Sequence, residues 1–377
     1  MKPRLLLIAF SRLMPAEQGN ARRIMQLVSL YERQGFEIDL LYHQEEGHDL
    51  SLSRALAARF ARVAVISSQA PKSIEQPDHI CRVAAWYDRQ LDAAVRDLHQ
   101  LRGYRLVHAN YVWYAPVFEQ FGSDVVKVLD AHDVFADRAA KYRQSGMAPQ
   151  WFSTTQAEED QAFRRADAVL AIQKEEAAQM AGRGHRNILY LPYVEPQLLA
   201  FDAPRTARPL TLGYLGSAND WNVRSLNQFL DAVRRRGGRF VHPVLVAGAI
   251  TRHIAETPGV VKLGFVKELG NFYKAIDIAI NPMVGGTGLK IKTVEPLCYG
   301  TPVLSTSAGA QGLGHLWELP IFDSAEAMVA FLETATPDSL APAAQQLFLQ
   351  AQRSRAALDL EYDAQVERFS RWLLSKT

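Results

Sequence analysis

Short apolar runs separated by amphipathic stretches recur along almost the whole of this chain, and no other feature narrows its possible folds as much. Residues 5–10 form a continuous apolar run, residues 11–20 a polar loop, and Ile24, Leu27, Val28 and Tyr31 then fall on one face of a helix. Strand-like runs follow at 36–42, 63–66, 106–109, 125–129, 168–172 and 188–191, with helical patterns between most of them. Strands interleaved with helices pack as parallel sheets covered on both faces.

A break comes at 191–209, where Pro192, Pro196, Pro204 and Pro209 punctuate a stretch of little periodicity. The alternation then restarts, with strands expected at 210–215, 241–247, 260–263, 275–281 and 302–305 and a helix at 223–233. At 377 residues the chain exceeds the size at which one hydrophobic core stops growing. The expected fold class is therefore α/β, two Rossmann-like doubly wound domains facing each other across a cleft. The boundaries read as a first domain over 1–195, a linker at 196–209, a second domain over 210–355 and a terminal helix at 356–377 packing back toward the first. Residues 339–372 carry packing positions such as Leu347, Leu358, Phe369 and Trp372 on one or two helices. Ligands of such sheets bind beyond the carboxyl ends of the strands, here the loops 11–20, 216–222 and 282–288.

The last of these loops opens the richest stretch of chemistry, Gly285-Gly286-Thr287-Gly288-Leu289-Lys290-Ile291-Lys292-Thr293-Val294-Glu295. Glycines let backbone amides approach an anion, and the helix expected to follow adds a favourable dipole. Lys290 and Lys292 in the first turn of that helix oppose the dipole unless an anion is present, so their placement argues for a phosphate ligand. Glu295 sits on an otherwise apolar helix face with Val294, Leu297 and Cys298, where a carboxylate needs donors to offset its desolvation; ribose hydroxyls would supply them. His132 follows an apolar run and should emerge at a strand end, with a core histidine as the rival reading. Asp133 beside it either orients a substrate or caps a helix. His108, Asn110 and Trp113 end another strand on the same side, Trp113 more as packing. Arg22 and Arg23 near a helix start could face a phosphate, and Asp220 and Trp221 read as a cap and a packing residue.

Composition bounds the partners. Lys and Arg total 42 against 40 Asp and Glu, a net charge of +2, which points away from nucleic acid. The two cysteines, Cys81 and Cys298, are far apart, and no Cys or His spacing suggests a zinc or haem site. A reduced, cytoplasmic protein is the simplest expectation; residues 5–10 are too short for a signal peptide, and no segment approaches the ~20 apolar residues of a membrane span. Arg54, Arg59 and Arg62 among Leu52, Leu56, Phe60 and Val63 make a basic amphipathic stretch, either a peripheral contact with the inner face of a membrane or a surface helix beside the sheet. There is no Gly-x-x-x-x-Gly-Lys-Ser/Thr loop, no Asp-x-Asp metal motif and no serine nucleophile elbow.

The stretch from Gly285 through Cys298-Tyr299-Gly300-Thr301-Pro302-Val303 to Gly309-Ala310-Gln311-Gly312-Leu313 resembles the signature of GT-B-fold glycosyltransferases, family 4. Weaker matches fall in the family's order: Gly19-Asn20-Ala21-Arg22, Leu129-Asp130-Ala131-His132-Asp133, Gly213-Tyr214-Leu215-Gly216-Ser217 with Asn222, and Gly264-Phe265-Val266 leading to Leu269 and Tyr273. The resemblance implies a retaining, metal-independent transferase with no cofactor, moving a sugar from a UDP- or GDP-sugar to a glycan, lipid-linked or protein acceptor, as in bacterial cell-surface polysaccharide synthesis. It implies catalytic roles for His132, Asp133, Lys290 and Lys292, and donor-binding roles for Gly19, Arg22, Gly216, Ser217, Asn222, Phe265, Val266, Gly286, Thr287, Gly288, Leu289 and Glu295, the last on ribose. Thr287 stands where the family often has a second glutamate, which bears on the donor sugar. Two rival readings share the architecture: a nucleotide-sugar 2-epimerase, and a non-catalytic nucleotide-sugar-binding subunit.

Overall fold

In the computed structural model, residues 2–44, 49–68, 80–149, 151–201, 209–286, 288, 290–334 and 337–376 are described. Thr287, Leu289 and residues 202–208 of the proline-rich stretch expected as a linker lie outside them. The chain divides into two units, Met1–Tyr193 with Ala364–Thr377, and Val194–Asp363.

In the first unit seven strands, β1 (Arg4–Ala9), β2 (Glu37–Gln44), β3 (Arg62–Ser67), β4 (Leu106–Asn110), β5 (Val126–Asp130), β6 (Ala168–Ala171) and β7 (Ile188–Tyr190), lie in the order β3-β2-β1-β4-β5-β6-β7. Every neighbouring pair is parallel. From β1 the chain winds one way to β3 and then returns to place β4 on the other side. The switch point thus falls between β1 and β4, where Leu7 pairs with His108 and Ile8 with Ala109. Leu5 to Ala9 are fully buried, as a central strand covered on both faces must be. The helix Gly19–Arg33 covers one face through Ile24, Leu27, Val28 and Tyr31.

The second unit repeats the winding with β8 (Leu212–Leu215), β9 (Val244–Ala247), β10 (Val260–Gly264), β11 (Ile278–Asn281), β12 (Val303–Thr306) and β13 (Ile321–Phe322), in the order β10-β9-β8-β11-β12-β13. Its pairs are also parallel. Here the switch point lies between β8 and β11, so the loops after those two strands open side by side. The last helix, Pro337–Leu374, supplies Leu347, Ala351 and Leu358 to the core of the second unit and Phe369 and Leu373 to that of the first.

Several local expectations change. The strand expected at 275–281 begins only at Ile278, because Ala275 ends the helix Leu269–Ala275 and the Asp277 carboxylate accepts a hydrogen bond from Thr211 N at 2.7 Å. The edge strand β13, two residues long, has too little alternation to be read from sequence. Leu52, Leu56 and Phe60 of the basic amphipathic stretch are buried in the first core, and Arg59 pairs with Glu32. The apolar side of that stretch is therefore spent on packing, which removes the basis for a membrane contact there. Among the described residues no helix is long and apolar enough to cross a membrane.

Candidate functional site: two strand-end clusters

In the second unit β8 runs into Gly216 and Ser217, and Asn219 then caps the helix Asp220–Arg236 by accepting from Asn222 N at 2.9 Å. The cap is thus Asn219, one residue before the Asp220 expected. Asn222 is buried and turns back on the loop, its Nδ2 donating to Ser217 O at 3.0 Å and to Ser217 Oγ at 3.1 Å. Gly248, at φ 93°, packs against this turn so closely that a Cβ would meet Gly216 O at 2.3 Å. Gly248→Ala should therefore displace the Gly216 turn, cost about 1–3 kcal/mol of stability and weaken nucleotide binding together. Paired thermal melts and calorimetric titrations with UDP check this; an unchanged melt and affinity would refute it.

The loop after β11 is fixed from below and from the side. Gly285 lies against the Trp221 ring, where a Cβ would meet ring carbons at 2.4 and 2.7 Å, so Trp221 is a packing residue as expected and sets the glycine requirement. Gly286 and Gly288 hold left-handed backbone, at φ 113° and 69°, which favours glycine. The second glycine turn is tied to the same place: Asn281 Nδ2 donates to Thr293 Oγ1 at 2.7 Å, and Thr293 Oγ1 donates to Gly309 O at 2.6 Å.

Lys290 occupies the N-cap position of the helix Ile291–Cys298, and its Nζ donates to Gly288 O at 2.6 Å. Lys292 is half-buried by area, but its ammonium end is enclosed. It donates to Asn222 Oδ1, lies 3.4 Å from Tyr214 Oη and stands 5.3 Å from the centre of the Tyr214 ring. Burial, followed by repulsion from Lys290, pushes the Lys292 ammonium down to about 7. Glu295, also buried, accepts from the Tyr273 hydroxyl, and Tyr273 stacks on Tyr299 at 4.5 Å. The protein itself therefore supplies one of the donors that the sequence reading left to a ligand. Tyr273 is buried, whereas Phe265 after β10 is 71% exposed and Val266 packs on the second core.

In the first unit the loop ends of β4 and β5 meet. His132 follows Asp130 with left-handed backbone, φ 59°. Its side chain is only 6% exposed, stacked under Tyr111 with ring centres 4.1 Å apart. Asn110 Nδ2 donates to Ile8 O at 2.9 Å, which turns its Oδ1 toward His132 Nε2 at 3.0 Å. Nε2 is then the donor, and Nδ1 is left as an acceptor. Asp133 accepts from Val134 N at 2.8 Å and caps no helix, since the next helix, Arg138–Gln144, starts beyond it. Gly19 opens the helix Gly19–Arg33, and Arg22 Nε donates to Ala16 O at 3.2 Å.

Two readings are corrected, one at a strand end and one near a helix start. His108 is fully buried with its Nδ1 2.9 Å from the Tyr31 hydroxyl, because its position on the central strand β4 points it into the helix layer. Arg23 does not face a ligand: it is 1% exposed and bonds Asp130 Oδ2 and Pro192 O, both at 3.0 Å. Sequence reasoning missed Tyr214 and Asn110 as the groups that hold Lys292 and His132. A polar residue ending an apolar strand was the only signal for Asn110, and an aromatic within a strand gave none for Tyr214.

Burial depresses His108 and His132 to about 4 each. The unfolded chain takes up these protons near pH 6.5 while the folded chain refuses them until about pH 4. Stability should therefore be undiminished above pH 6.5 and fall as pH drops through that window, by at most on the order of 3 kcal/mol per histidine. Melting temperatures across pH 7 to 4 measure the slope, and His108→Gln should reduce it by one proton's share; a flat profile would contradict the burial argument.

Comparison with known proteins agrees with this geometry. Residues 18–193 match the family described as "Glycosyl transferase 4-like domain", and residues 209–348 match "Glycosyl transferases group 1". No curated protein sequence matches the chain. The fold is similar to that of Anabaena HepE in complex with UDP-glucose, with TM-score 0.65 and 17% identity over 99% of this chain and 100% of that one. It is similar as well to sucrose-phosphate synthase from Thermosynechococcus elongatus, with TM-score 0.69 and 15% identity over the whole of both chains (100% and 100%). A glycosyltransferase from Rickettsia africae gives TM-score 0.63 at 11% identity, again over 100% of each chain. With both units matched, and with parallel sheets of seven and six strands like those of GT-B glycosyltransferases, the chain is a glycosyltransferase that belongs to the group 1, family 4-like enzymes acting on nucleotide sugars.

Proposed function

We propose that this enzyme is a retaining, metal-independent transferase that moves a sugar from a UDP- or GDP-sugar to a glycan, lipid-linked or protein acceptor in bacterial cell-surface polysaccharide or glycoconjugate synthesis. The donor belongs to the second unit and the acceptor to the first. The reaction belongs in the cytoplasm, where nucleotide sugars are made.

One observation carries the donor assignment. Lys292 is held by neutral groups, Asn222 and Tyr214, with a second lysine nearby and no carboxylate paired to it among the described residues. An ammonium so placed is costly until an anion arrives. A diphosphate fits, and the same charges would stabilise it as a leaving group in place of a divalent metal. Around it Gly216, Ser217, Asn222, Gly286, Thr287, Gly288 and Leu289 would offer backbone and small polar groups, Glu295 would take the ribose, and Phe265 with Val266 the base. In the first unit the neutral His132 would present Nδ1 to a hydroxyl of the transferred sugar, with Asp133 toward the acceptor and Gly19 and Arg22 toward the donor. HepE holds UDP-glucose, so that sugar is the first donor to try.

Calorimetry with UDP and GDP, then turnover of the preferred donor followed by proton NMR, tests this reading. Binding of one nucleotide, a product of retained anomeric configuration and activity undiminished by EDTA are expected. An inverted product would overturn retention, and binding of neither nucleotide would overturn the donor site.

A further inference from the structure

The left-handed region is costly for large side chains, yet four non-glycine residues of the described chain occupy it, all in the first unit: Tyr111 at φ 78°, and His132, Asp137 and Trp151 at 59° each. They fall on the segments that follow β4 and β5, and the side chains of Tyr111, His132 and Trp151 form one cluster. The Trp151 ring lies 5.8 Å from Tyr111, which stacks on His132. It lies 6.2 Å from Phe10, the residue after β1, and both Phe10 and Trp151 are half-buried. Strain collected past the carboxyl ends of two neighbouring strands, β4 at the switch point and β5 beside it, marks a surface shaped for a ligand.

Arg138 stands in that cluster without a counter-ion. Its guanidinium carbon is 5.5 Å from the Phe135 ring centre, 5.7 Å from Tyr142 and 5.6 Å from Trp151. Nε and Nη1 are buried with no hydrogen-bond partner, and among the described residues Arg138 makes no ion pair. Three rings hold the cation in place through their faces, but they leave its N–H groups unanswered. Nη2 is not among the buried atoms and the side chain as a whole is half-buried, so a ligand can reach the guanidinium from its Nη2 end. The N–H groups of a guanidinium match the paired oxygens of a carboxylate or a phosphate.

We infer that Arg138 and Trp151 read the acceptor, and that the acceptor is an anionic saccharide whose carboxylate or phosphate takes the guanidinium while an apolar sugar face lies on the Trp151 ring. The inference rests on the acceptor side of the functional reading above. Arg138 is one ring, Trp151, away from the Tyr111–His132 stack, so an acceptor anchored there keeps its next sugar beside His132.

The test uses the full chain saturated with UDP, so that Lys290 and Lys292 are occupied, and titrates methyl glucoside, glucuronate and glucose 1-phosphate by calorimetry. At least one charged sugar should bind about tenfold or more tightly than the neutral one, the size of a charge-assisted pair. Preference for glucuronate identifies a carboxylate acceptor, and preference for glucose 1-phosphate a phosphorylated one. Arg138→Gln should abolish the preference, Arg138→Lys should retain part of it, and Trp151→Ala should weaken all three sugars alike. Equal binding of neutral and charged sugars by the unaltered chain would overturn the inference without depending on any variant, as would an unchanged preference in a folded Arg138→Gln. If the unaltered chain bound no UDP, the functional reading itself would fail, and that result is distinct from UDP binding without sugar preference.

Discussion

Lys292→Met should weaken UDP binding by about one to two orders of magnitude and, near neutral pH, raise the melting temperature of the same protein. The first effect is the loss of a charge-assisted contact, about 1.5–3 kcal/mol. The second follows from where the ammonium sits. Its folded value of about 7 lies well below that of an unfolded lysine, because burial and then Lys290 disfavour the charge. The folded chain therefore binds fewer protons than the unfolded chain between about pH 7 and the ordinary lysine range. Stability rises with pH through that window, and below it the penalty, on the order of a few kcal/mol, is present in full. Methionine removes it while filling a similar space. Binding has the opposite linkage: a diphosphate restores the proton, so UDP affinity of the unaltered chain should fall as pH rises through 7, with proton uptake visible as a buffer-dependent heat. A methionine variant that binds UDP normally, or one that melts lower at pH 7, would place Lys292 in an ordinary structural role.

Arg23→Ala should be the most destabilising single change in the first unit. Arg23 and Asp130 are 1% and 0% exposed and are bonded at 3.0 Å across the helix–sheet interface. Burial is the largest influence and pushes the Asp130 carboxyl up, but the Arg23 guanidinium, together with His132 and His108, more than offsets it and holds the group below its usual range. Removing the arginine leaves a carboxylate in the core without its main counter-charge, and breaking such a pair costs about 3–5 kcal/mol. The paired change Arg23→Met with Asp130→Leu should recover most of the loss, because two apolar groups of similar volume need no solvation there. Denaturant titrations of the singles and the pair form the cycle; additive losses would show that the charges do not depend on each other.

The two changes differ in how far the sequence foretold them. Lys292 stood out because glycines and a helix start surround it within a few residues, and those signals are local. Arg23 was one of two adjacent arginines, and only the packing separates them: Arg22 stays on the loop with Ala16 O, while Arg23, one helical step on, faces the sheet. His108 and His132 show the same division. Both end apolar strand patterns, yet one pairs with Tyr31 in the core and the other with Asn110 at a strand end. The local pattern assigns a residue to a strand end, and the neighbours contributed by other elements assign its protonation and its partner.

Periodicity and proline placement were enough to recover two parallel α/β sheets and the order of their elements, because hydrophobic burial acts on short windows that a sequence displays directly. Glycine-rich turns marked the donor loop for the same reason, since close backbone approach is a property of the residue itself. What the chain could not display was which distant polar groups would meet. Asn222 reaches Lys292 across 70 positions, and Asn110 reaches His132 across 22. The Arg138 cage closes only when Trp151 folds back in left-handed backbone. Charge states, tautomers and unpaired cations depend on burial and on these long-range partners, so the tertiary structure alone decided them.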